Sequence, residues 1–206
     1  MKPSIVLVGG GGHCKAVIDV IESLDQYSIA GIVDQPEKLG QFCLGYPIIG
    51  GDAELPKLVK KHHHFLITVG QIKTAQIRHR LLITLQQLGA EMATIIAPSA
   101  TISRHATIGV GSLIMPAAVI GAEVTIGQNC IINSGAIIEH ESHIGDSCHI
   151  ATGAVINGQT SVQQHCFIGS NSVLKQGISI AQNSVIAAGI RVLTSVTANQ
   201  TVRESD

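Results

Sequence analysis

A histidine followed directly by a carboxylate residue is the feature of this sequence that most suggests chemistry. His140 precedes Glu141, and His143 and His149 follow within the stretch NSGAIIEHESHIGDSCHIATGAVINGQ, residues 133–159. A neutral imidazole can act as a general base, and a nearby carboxylate can orient it and raise its basicity. Acetyl transfer to an amine or a hydroxyl needs such a base, together with a hydrogen-bond donor for the thioester oxygen. The alternative is a set of surface histidines on a polar face.

These histidines lie within a six-residue repeat. From Ile96 to Val192 an aliphatic residue occupies every sixth position, seventeen times without a slip, and a small or aliphatic residue follows four positions later. The pattern predicts a parallel β-helix in which each hexad forms a short strand and a corner. Three hexads make one triangular coil, so residue i stacks on residue i+18 at about the usual strand spacing of 4.8 Å. The aliphatic positions then point inward, and the small residues fill the interior beside them.

The predicted stacking register leads to two further assignments. Gly158 lies eighteen positions after His140, directly one coil along, where its N–H can remain open to a ligand. Cys130, Cys148 and Cys166 also differ by eighteen and should form one interior column. Small core residues are the favoured interpretation of this column, and a metal or redox thiol cluster is the alternative.

Residues 1–92 lack the six-residue period and alternate between strand-like and helix-like segments. This alternation predicts a small α/β domain around a Rossmann-like parallel sheet, followed by the β-helix over residues 93–206. The predicted elements are, in chain order, a strand at 4–8, a helix at 14–24, a strand at 29–33, a helix at 54–61, a strand at 65–69 and a helix at 74–88.

A run of glycines, Gly9–Gly12, ends the first predicted strand and opens the first helix. Free backbone N–H groups and the helix dipole make such a turn a phosphate site. Asp34 ends the next strand, where a carboxylate can reach a sugar or base hydroxyl. The dinucleotide fingerprint fails, because its third glycine would fall at Cys14 or Lys15. A turn that needs glycine for geometry alone is the other interpretation, although His13 adds a polar group at the same point.

Composition excludes several partners. The net charge is −1 and the sequence holds no basic run, which argues against nucleic acid. No apolar stretch approaches the roughly 18 residues of a membrane span, and the N-terminus lacks a signal-peptide pattern. The odd count of 5 cysteines, with no metal-type pair, is typical of a reducing cytoplasm.

The chain resembles a family of bacterial sugar acetyltransferases that join a small Rossmann-like domain to a left-handed β-helix. The family includes the UDP-4-amino-sugar N-acetyltransferases of bacillosamine synthesis and the related sialic acid O-acetyltransferases. The resemblance rests on GGGGHCK at 9–15, on Val33-Asp34 at a strand end and, above all, on IIEHESHIGDSCHI at 137–150. It implies an acetyl-CoA-dependent enzyme that acetylates the 4-amino group of a UDP-linked amino sugar in surface glycan synthesis.

The resemblance also implies roles for individual residues. His140 would be the general base and Glu141 its partner. The residues implied to bind acetyl-CoA are Asn133, His149, Gly158, Ser170 and Ala188, with the Gly158 N–H on the acetyl carbonyl. The residues implied to bind the nucleotide sugar are Gly11, Gly12, His13, Asp34, Gln35 and Gly70. The family forms homotrimers with each active site between neighbouring subunits, uses acetyl-CoA as co-substrate and needs no metal.

The sequence departs from the family pattern at three points. The loop reads Gly12-His13-Cys14 where GHG is usual, Gln35 replaces a second acidic residue, and the chain ends TANQTVRESD without a GxPAK-like tail. Three alternatives therefore stay open: an O-acetyltransferase for a sialic or nonulosonic acid, a carbonic-anhydrase-type metalloenzyme on the same β-helix, and a non-catalytic binding module. The HxxxxH spacing of that metalloenzyme class is absent around 140–149.

Overall fold

The computed structural model describes residues 2–203, which form two compact units. The first unit comprises the described residues as far as Gly70 together with Ile77–Ile95. The second comprises Gln71–Gln76 and the described residues from Ile96 onward. The first unit is therefore discontinuous in sequence, because a six-residue segment between its last two parts groups with the C-terminal repeats.

The first unit contains a six-stranded sheet with the order β3-β4-β2-β1-β5-β6. Its elements are β1 Ser4–Val8, α1 Gly12–Leu24, β2 Ser28–Val33, β3 Phe42–Cys43, β4 Tyr46–Gly50, α2 Leu55–Lys61, β5 His64–Ile67, α3 Gln76–Gln87 and β6 Glu91–Met92, with short 3-10 turns at Pro36–Lys38 and Asp52–Glu54. Every pair except β3–β4 is parallel. The predicted α/β class is confirmed, and the predicted elements lie within two residues of the observed ones.

The sequence reading missed the hairpin formed by β3 and β4. Cys43 pairs with Tyr46, so the connection is the two-residue turn Leu44-Gly45, and both turn residues have positive φ, 47° and 84°. Such turns match the twist of the flanking strands and usually carry Asn-Gly or Asp-Gly. Leucine at the first position hides that signal, which explains the omission.

The second unit is a three-sided parallel β-helix of two-residue strands. We call its sheets face 1, face 2 and face 3, in the order in which the chain visits them. Face 1 holds β7 Ile95–Ile96, β10 Leu113–Ile114, β13 Ile131–Ile132, β16 His149–Ile150, β19 Phe167–Ile168, β22 Val185–Ile186 and β24 Thr201–Val202. Face 2 holds β8 Thr101–Ile102, β11 Val119–Ile120, β14 Ile137–Ile138, β17 Val155–Ile156, β20 Val173–Leu174 and β23 Arg191–Val192. Face 3 holds β9 Thr107–Ile108, β12 Thr125–Ile126, β15 His143–Ile144, β18 Ser161–Val162 and β21 Ser179–Ile180.

The predicted eighteen-residue register is confirmed. Ile131 pairs with His149, and Ile132 with Ile150, and the same offset recurs on all three faces. The second residue of each strand points inward, and from Ile114 to Val192 each of these aliphatic residues is buried. The first three, at 96, 102 and 108, are partly exposed because they belong to the end coil and have a neighbouring coil on one side. At the other end the offset shortens to sixteen, where β24 pairs with β22.

Corners of the β-helix use a left-handed backbone at one position per hexad. Asn129, Glu141, Gln159 and Asn171 all lie there with φ between 54° and 58°. Glycine and asparagine tolerate this region at low cost, whereas other residues are strained there. Glu141, the predicted partner of the histidine, is therefore held in a strained conformation by the coil.

The three cysteines of the predicted column are buried inside the β-helix. Their thiols donate to carbonyl oxygens of Gly145, Gln163 and Ala181 at 3.0–3.1 Å. Burial raises the pKa of the Cys148 thiol well above its ordinary value. These thiols therefore act as small core residues with weak hydrogen bonds.

Candidate active site

His140 and Glu141 form an ion-pair-like contact at the corner between faces 2 and 3. His140 Nδ1 lies 3.0 Å from Glu141 Oε2, and both side chains are about half exposed, at 51% and 46%. Gln159 Nε2 donates to the same carboxylate oxygen at 3.2 Å. With Nδ1–H donated to the carboxylate, Nε2 carries the lone pair that a general base needs. Gln159 was not predicted from the sequence, although it stacks one coil beyond Glu141 and the register could have identified it.

Gly158 provides the space that the His140 ring occupies. A Cβ added to Gly158 would lie 2.6 Å from His140 Nε2 and 2.7 Å from its Cε1, which is closer than real contacts allow. The glycine is buried, and its N–H donates to no other residue that the structure describes. The imidazole of His140 and the backbone of Gly158 therefore lie side by side at this corner.

The three histidines that cluster in the sequence do not cluster in space. His140 is at a corner, whereas His143 points outward from face 3, where its Nδ1 lies 2.6 Å from Thr125 Oγ1. His149 points outward from face 1 and is only 8% exposed. Its ring packs edge-on against Phe167, with ring centroids 5.2 Å apart, and its Nε2 lies 3.1 Å from Asn133 Nδ2.

Asn133, Ser170 and Ala188, which were predicted to bind acetyl-CoA, follow strands of face 1 at the corner between faces 1 and 2. Ser170 and Ala188 stack one above the other, and the neighbouring Gly189 N–H donates to Ser170 O at 2.8 Å. Asn133 and Ser170 are half-buried and Ala188 is exposed. This edge thus presents a ladder of small residues and backbone groups, with Asn133 near one end.

One chain does not bring all the predicted residues of the second unit together. In a three-sided coil, the corner that carries His140 lies opposite face 1, which carries His149. The aliphatic core separates these two histidines. Only Gly158 of the predicted acetyl-CoA residues lies beside His140 in the same chain.

A cavity of about 640 Å³ opens in the first unit at the carboxyl ends of β1, β2 and β5. Ligands usually bind at this edge of a parallel sheet, at the point where the strand order reverses. Here that point is β1, which has β2 on one side and β5 on the other. Among its lining residues are Gly9–Gly11, Asp34, Gln35, Lys38 and Gly70. The helix α1 begins at Gly12 without a side-chain cap, so its first N–H groups face this edge with the positive end of the helix dipole.

Asp34 holds the glycine loop in place. Its carboxylate accepts hydrogen bonds from the N–H of Gly10 at 3.0 Å and of Gln35 at 2.7 Å, and from Lys38 Nζ at 2.9 Å. Burial raises the pKa of Asp34, but these three hydrogen bonds outweigh it and lower the pKa below its ordinary value. The sequence predicted a contact from Asp34 to a ligand hydroxyl; the observed partners show that it also supports the loop.

Of the predicted sugar-binding residues, Gly12 and His13 do not line the cavity and lie in the first turn of α1, next to Gly11. Gly11 and Gly12 have open space where a side chain would begin, and a Cβ on Gly70 would contact His13 at 3.6 Å. The sequence reading missed Arg78, which is 1% exposed and donates from Nη1 to the carbonyl of Val69 at 2.8 Å. This buried guanidinium fixes the strand end that leads to Gly70.

The described residues, 2–203, contain neither a metal-binding cluster nor a helix that could span a membrane. They contain no group of three or more His, Cys, Asp or Glu side chains arranged to hold a metal ion. Within the same residues, no helix combines the length and the apolar character that crossing a membrane requires.

Comparison with known families matches both parts of the chain. Residues 4–84 match the PglD N-terminal domain, and residues 92–205, more than half of the chain, belong to the GMPPB C-terminal domain family. PerB from Caulobacter crescentus, solved with CoA and GDP-perosamine, superposes with a TM-score of 0.89 at 28% identity, covering 95% of this chain and 91% of that one. The acetyltransferase domain of PglB from Neisseria gonorrhoeae, also solved with acetyl coenzyme A, superposes with a TM-score of 0.90 at 26% identity, covering 98% and 96%. The chain belongs to the bacterial sugar acetyltransferases with a Rossmann-like domain and a left-handed β-helix.

These matches confirm the predicted fold class, an α/β domain followed by a left-handed β-helix. WeeI from Acinetobacter baumannii shares the fold, with a TM-score of 0.86 at 24% identity over 98% of this chain and 96% of that one. No curated protein matches the chain by sequence.

Proposed function

We propose that this protein transfers the acetyl group of acetyl-CoA to the amino group of a nucleotide-linked amino sugar. The observation that carries the proposal is the His140 imidazole, which is hydrogen-bonded through Nδ1 to Glu141 and packs against the side of Gly158 where a side chain would begin. PerB and PglB, the solved relatives, bind CoA or acetyl coenzyme A, and PerB binds GDP-perosamine. Both substrates therefore have a precedent in proteins of the same fold.

The arrangement supports a direct transfer. The amine attacks the thioester carbonyl carbon and a C–N bond forms. The developing oxyanion accepts a hydrogen bond from the N–H of Gly158. His140 Nε2 takes the proton that the amine loses, and Glu141 stabilises the resulting imidazolium. The C–S bond then breaks, and CoA leaves as a thiolate that recovers this proton.

The nucleotide would occupy the cavity of the first unit. Its volume of about 640 Å³ and its glycine loop suit a nucleoside diphosphate, with the phosphates at the start of α1. Gly11, Gly12, His13, Asp34, Gln35 and Gly70 would line this substrate. We propose UDP as the nucleotide carrier of the sugar. The 4-amino group of the sugar is then the acceptor of the acetyl group.

Outward residues of face 2 favour a homotrimer with shared sites. Val119, Ile137, Val155 and Val173 form an apolar stripe there, whereas the outward residues of face 3 are Thr, Thr, His, Ser and Ser. The stripe runs between the His140 corner and the Asn133–Ala188 edge. A neighbouring copy that covers face 2 would supply the second half of each site, which one chain alone lacks.

Co-expression of two differently tagged inactive variants tests the shared site. His140→Ala removes the base, and Ala188→Trp blocks the proposed CoA edge. In a mixed trimer with cyclic symmetry, one site in three combines an intact base with an intact edge, so a random mixture should regain about one quarter of wild-type activity. Activity that stays at the level of the single variants would contradict the shared site.

Acetyl-CoA turnover against a panel of acceptors tests the reaction itself. The panel contains UDP- and GDP-linked 4-amino sugars, their hydroxyl analogues, and free or CMP-linked nonulosonic acids. Thiol release with an amino sugar, reduced about 10²- to 10⁴-fold by His140→Ala and less by Glu141→Gln, is the expected result. Release only with nonulosonic acids would favour the O-acetyltransferase, and turnover that requires bound zinc would favour the metalloenzyme.

We propose a cytoplasmic location for the enzyme. The five cysteines, all within the described residues, are buried and form no disulfide, as is usual in a reducing compartment. Fractionation of the source cells would test this assignment.

A further inference from the structure

Gln71 anchors a short segment, Gln71–Gln76, against face 1 of the β-helix. Its side chain is 3% exposed, and its Nε2 donates to the carbonyl of Cys166 at 3.2 Å. The main-chain N–H of His149 donates to the same carbonyl at 2.9 Å. The main-chain carbonyl of Gln71, in turn, lies 2.7 Å from His149 Nδ1. Gln71 is thus attached to the β-helix through both its side chain and its backbone.

These contacts determine which nitrogen of His149 carries the proton. A carbonyl oxygen can only accept, so Nδ1 must hold the hydrogen that bonds to Gln71. Asn133 Oδ1 accepts the N–H of Ser134 at 2.8 Å, which turns Asn133 Nδ2 toward His149 Nε2 at 3.1 Å. An amide N–H can only donate, so Nε2 must be the acceptor. The hydrogen-bonding pattern therefore assigns the neutral Nδ1–H tautomer.

We infer that Gln71 is a positioning residue for the acyl donor: it sets the tautomer of His149 and, through it, the orientation of the Asn133 amide. With the opposite tautomer, two N–H groups would face each other and the Asn133 amide would have to rotate away from Ser134. In the observed state, the second hydrogen of Asn133 Nδ2 makes no bond to another described residue. It is available at the edge of faces 1 and 2 to a carbonyl oxygen of acetyl-CoA, an assignment that rests on the proposed function.

The Gln71 side chain is poorly explained by stability alone. Its Oε1 is buried and has no hydrogen-bond partner within the described residues. An unpaired buried acceptor costs about as much free energy as the single bond from Nε2 contributes, or more. Methionine has a similar length and no polar atom to leave unpaired. Gln71→Met should therefore keep the fold and its melting temperature while it releases the backbone carbonyl from its fixed position.

The test combines nitrogen NMR of histidine-labelled protein with calorimetry of acetyl-CoA binding. Comparison with His149→Asn identifies the His149 signals. In the wild type, Nδ1 should have the protonated shift and Nε2 the unprotonated one. Gln71→Met should mix the two tautomers and raise the Kd for acetyl-CoA about tenfold. Gln76→Met is the matched control, because it makes the same change at an exposed position of the same segment and should leave both measurements unchanged.

Each outcome separates the positioning role from the reaction. A protonated Nε2 in the wild type, or a Gln71→Met protein with wild-type acetyl-CoA affinity, overturns the inference and leaves the acetyltransferase assignment intact. A wild-type protein that does not bind acetyl-CoA overturns the proposed function together with the positioning role.

Discussion

At the scale of single residues, the site depends on the missing side chain of Gly158 as well as on the imidazole of His140. His140 and Glu141 have the right types, but the imidazole can lie over the corner only because residue 158 has no Cβ. Gln159, from the same coil as Gly158, holds the carboxylate from the other side. The proposed base is therefore positioned by two consecutive residues, Gly158 and Gln159, which stack on His140 and Glu141.

We expect Gly158→Ala to reduce kcat about 100-fold while the protein stays folded. The added methyl group would lie 2.6 Å from His140 Nε2, so the exposed ring must swing away from the reacting position. Gln176→Ala changes the equivalent corner one coil further and serves as the control. Steady-state kinetics check the prediction, and near-normal kcat for Gly158→Ala would mean that His140 is not the base.

At the scale of elements, the glycine loop between β1 and α1 assigns different work to each glycine. Gly9 has φ 111° and a Cβ there would meet Val69, and a Cβ on Gly10 would lie 2.7 Å from the Asp34 carboxylate. These two shape the turn. Gly11 has an ordinary φ of −80° and open space where a side chain would begin, so we expect its small size to matter for a ligand.

Gly11→Phe should therefore raise KM for the nucleotide sugar at least tenfold and leave acetyl-CoA affinity nearly unchanged. The ring would project toward the cavity and occupy the space of the phosphates, without the backbone strain that a change at Gly9 would cause. Calorimetry with each substrate separately measures the two affinities. If acetyl-CoA binding weakens instead, the loop holds the CoA phosphates and the two substrate assignments are reversed.

The inward residues of the β-helix differ in burial along its length. Ile150 is fully buried in a central coil, whereas Ile102 occupies the same position of the repeat in the end coil and is only partly buried. We expect Ile150→Ala to lower the free energy of unfolding by about 2–5 kcal/mol and Ile102→Ala to lower it clearly less. Chemical denaturation of both variants provides the comparison. Equal losses would mean that the end coil is covered in solution.

At the scale of the whole molecule, the proposed trimer makes activity depend on the apolar stripe of face 2. We expect Val155→Glu to give a monomer without acetyl transfer, because a carboxylate in the centre of the covered stripe would be buried without a partner. Light scattering should give about three times 21.5 kDa for the wild type and one subunit mass for this variant. Ser179→Glu, on the polar face 3, is the control and should remain trimeric and active. A wild type that is monomeric and active would contradict the shared site.

The repeat, its register and the His140-Glu141 pair are all visible in the amino-acid sequence. The six-residue period is visible because each inward position must be aliphatic, so Ile150 above Ile132 and Gly158 above Ala122 and His140 follow from counting. The glycine loop and the alternation of strands and helices likewise identified the first domain. Turns, strands and helices each favour particular residue types at nearby positions, so they can be predicted from short stretches of sequence.

Contacts between distant parts of the chain follow only from the folded structure. The repeat itself separates the three histidines, since counting by six assigns His140 to a corner and His143 and His149 to different faces. The contacts of Gln71 with Cys166 and His149 span 95 and 78 residues, and no repeat in the sequence predicts them. A hydrogen bond between distant segments depends on how the complete chain folds, because the fold decides which segments become neighbours. No local pattern of residues indicates such a contact.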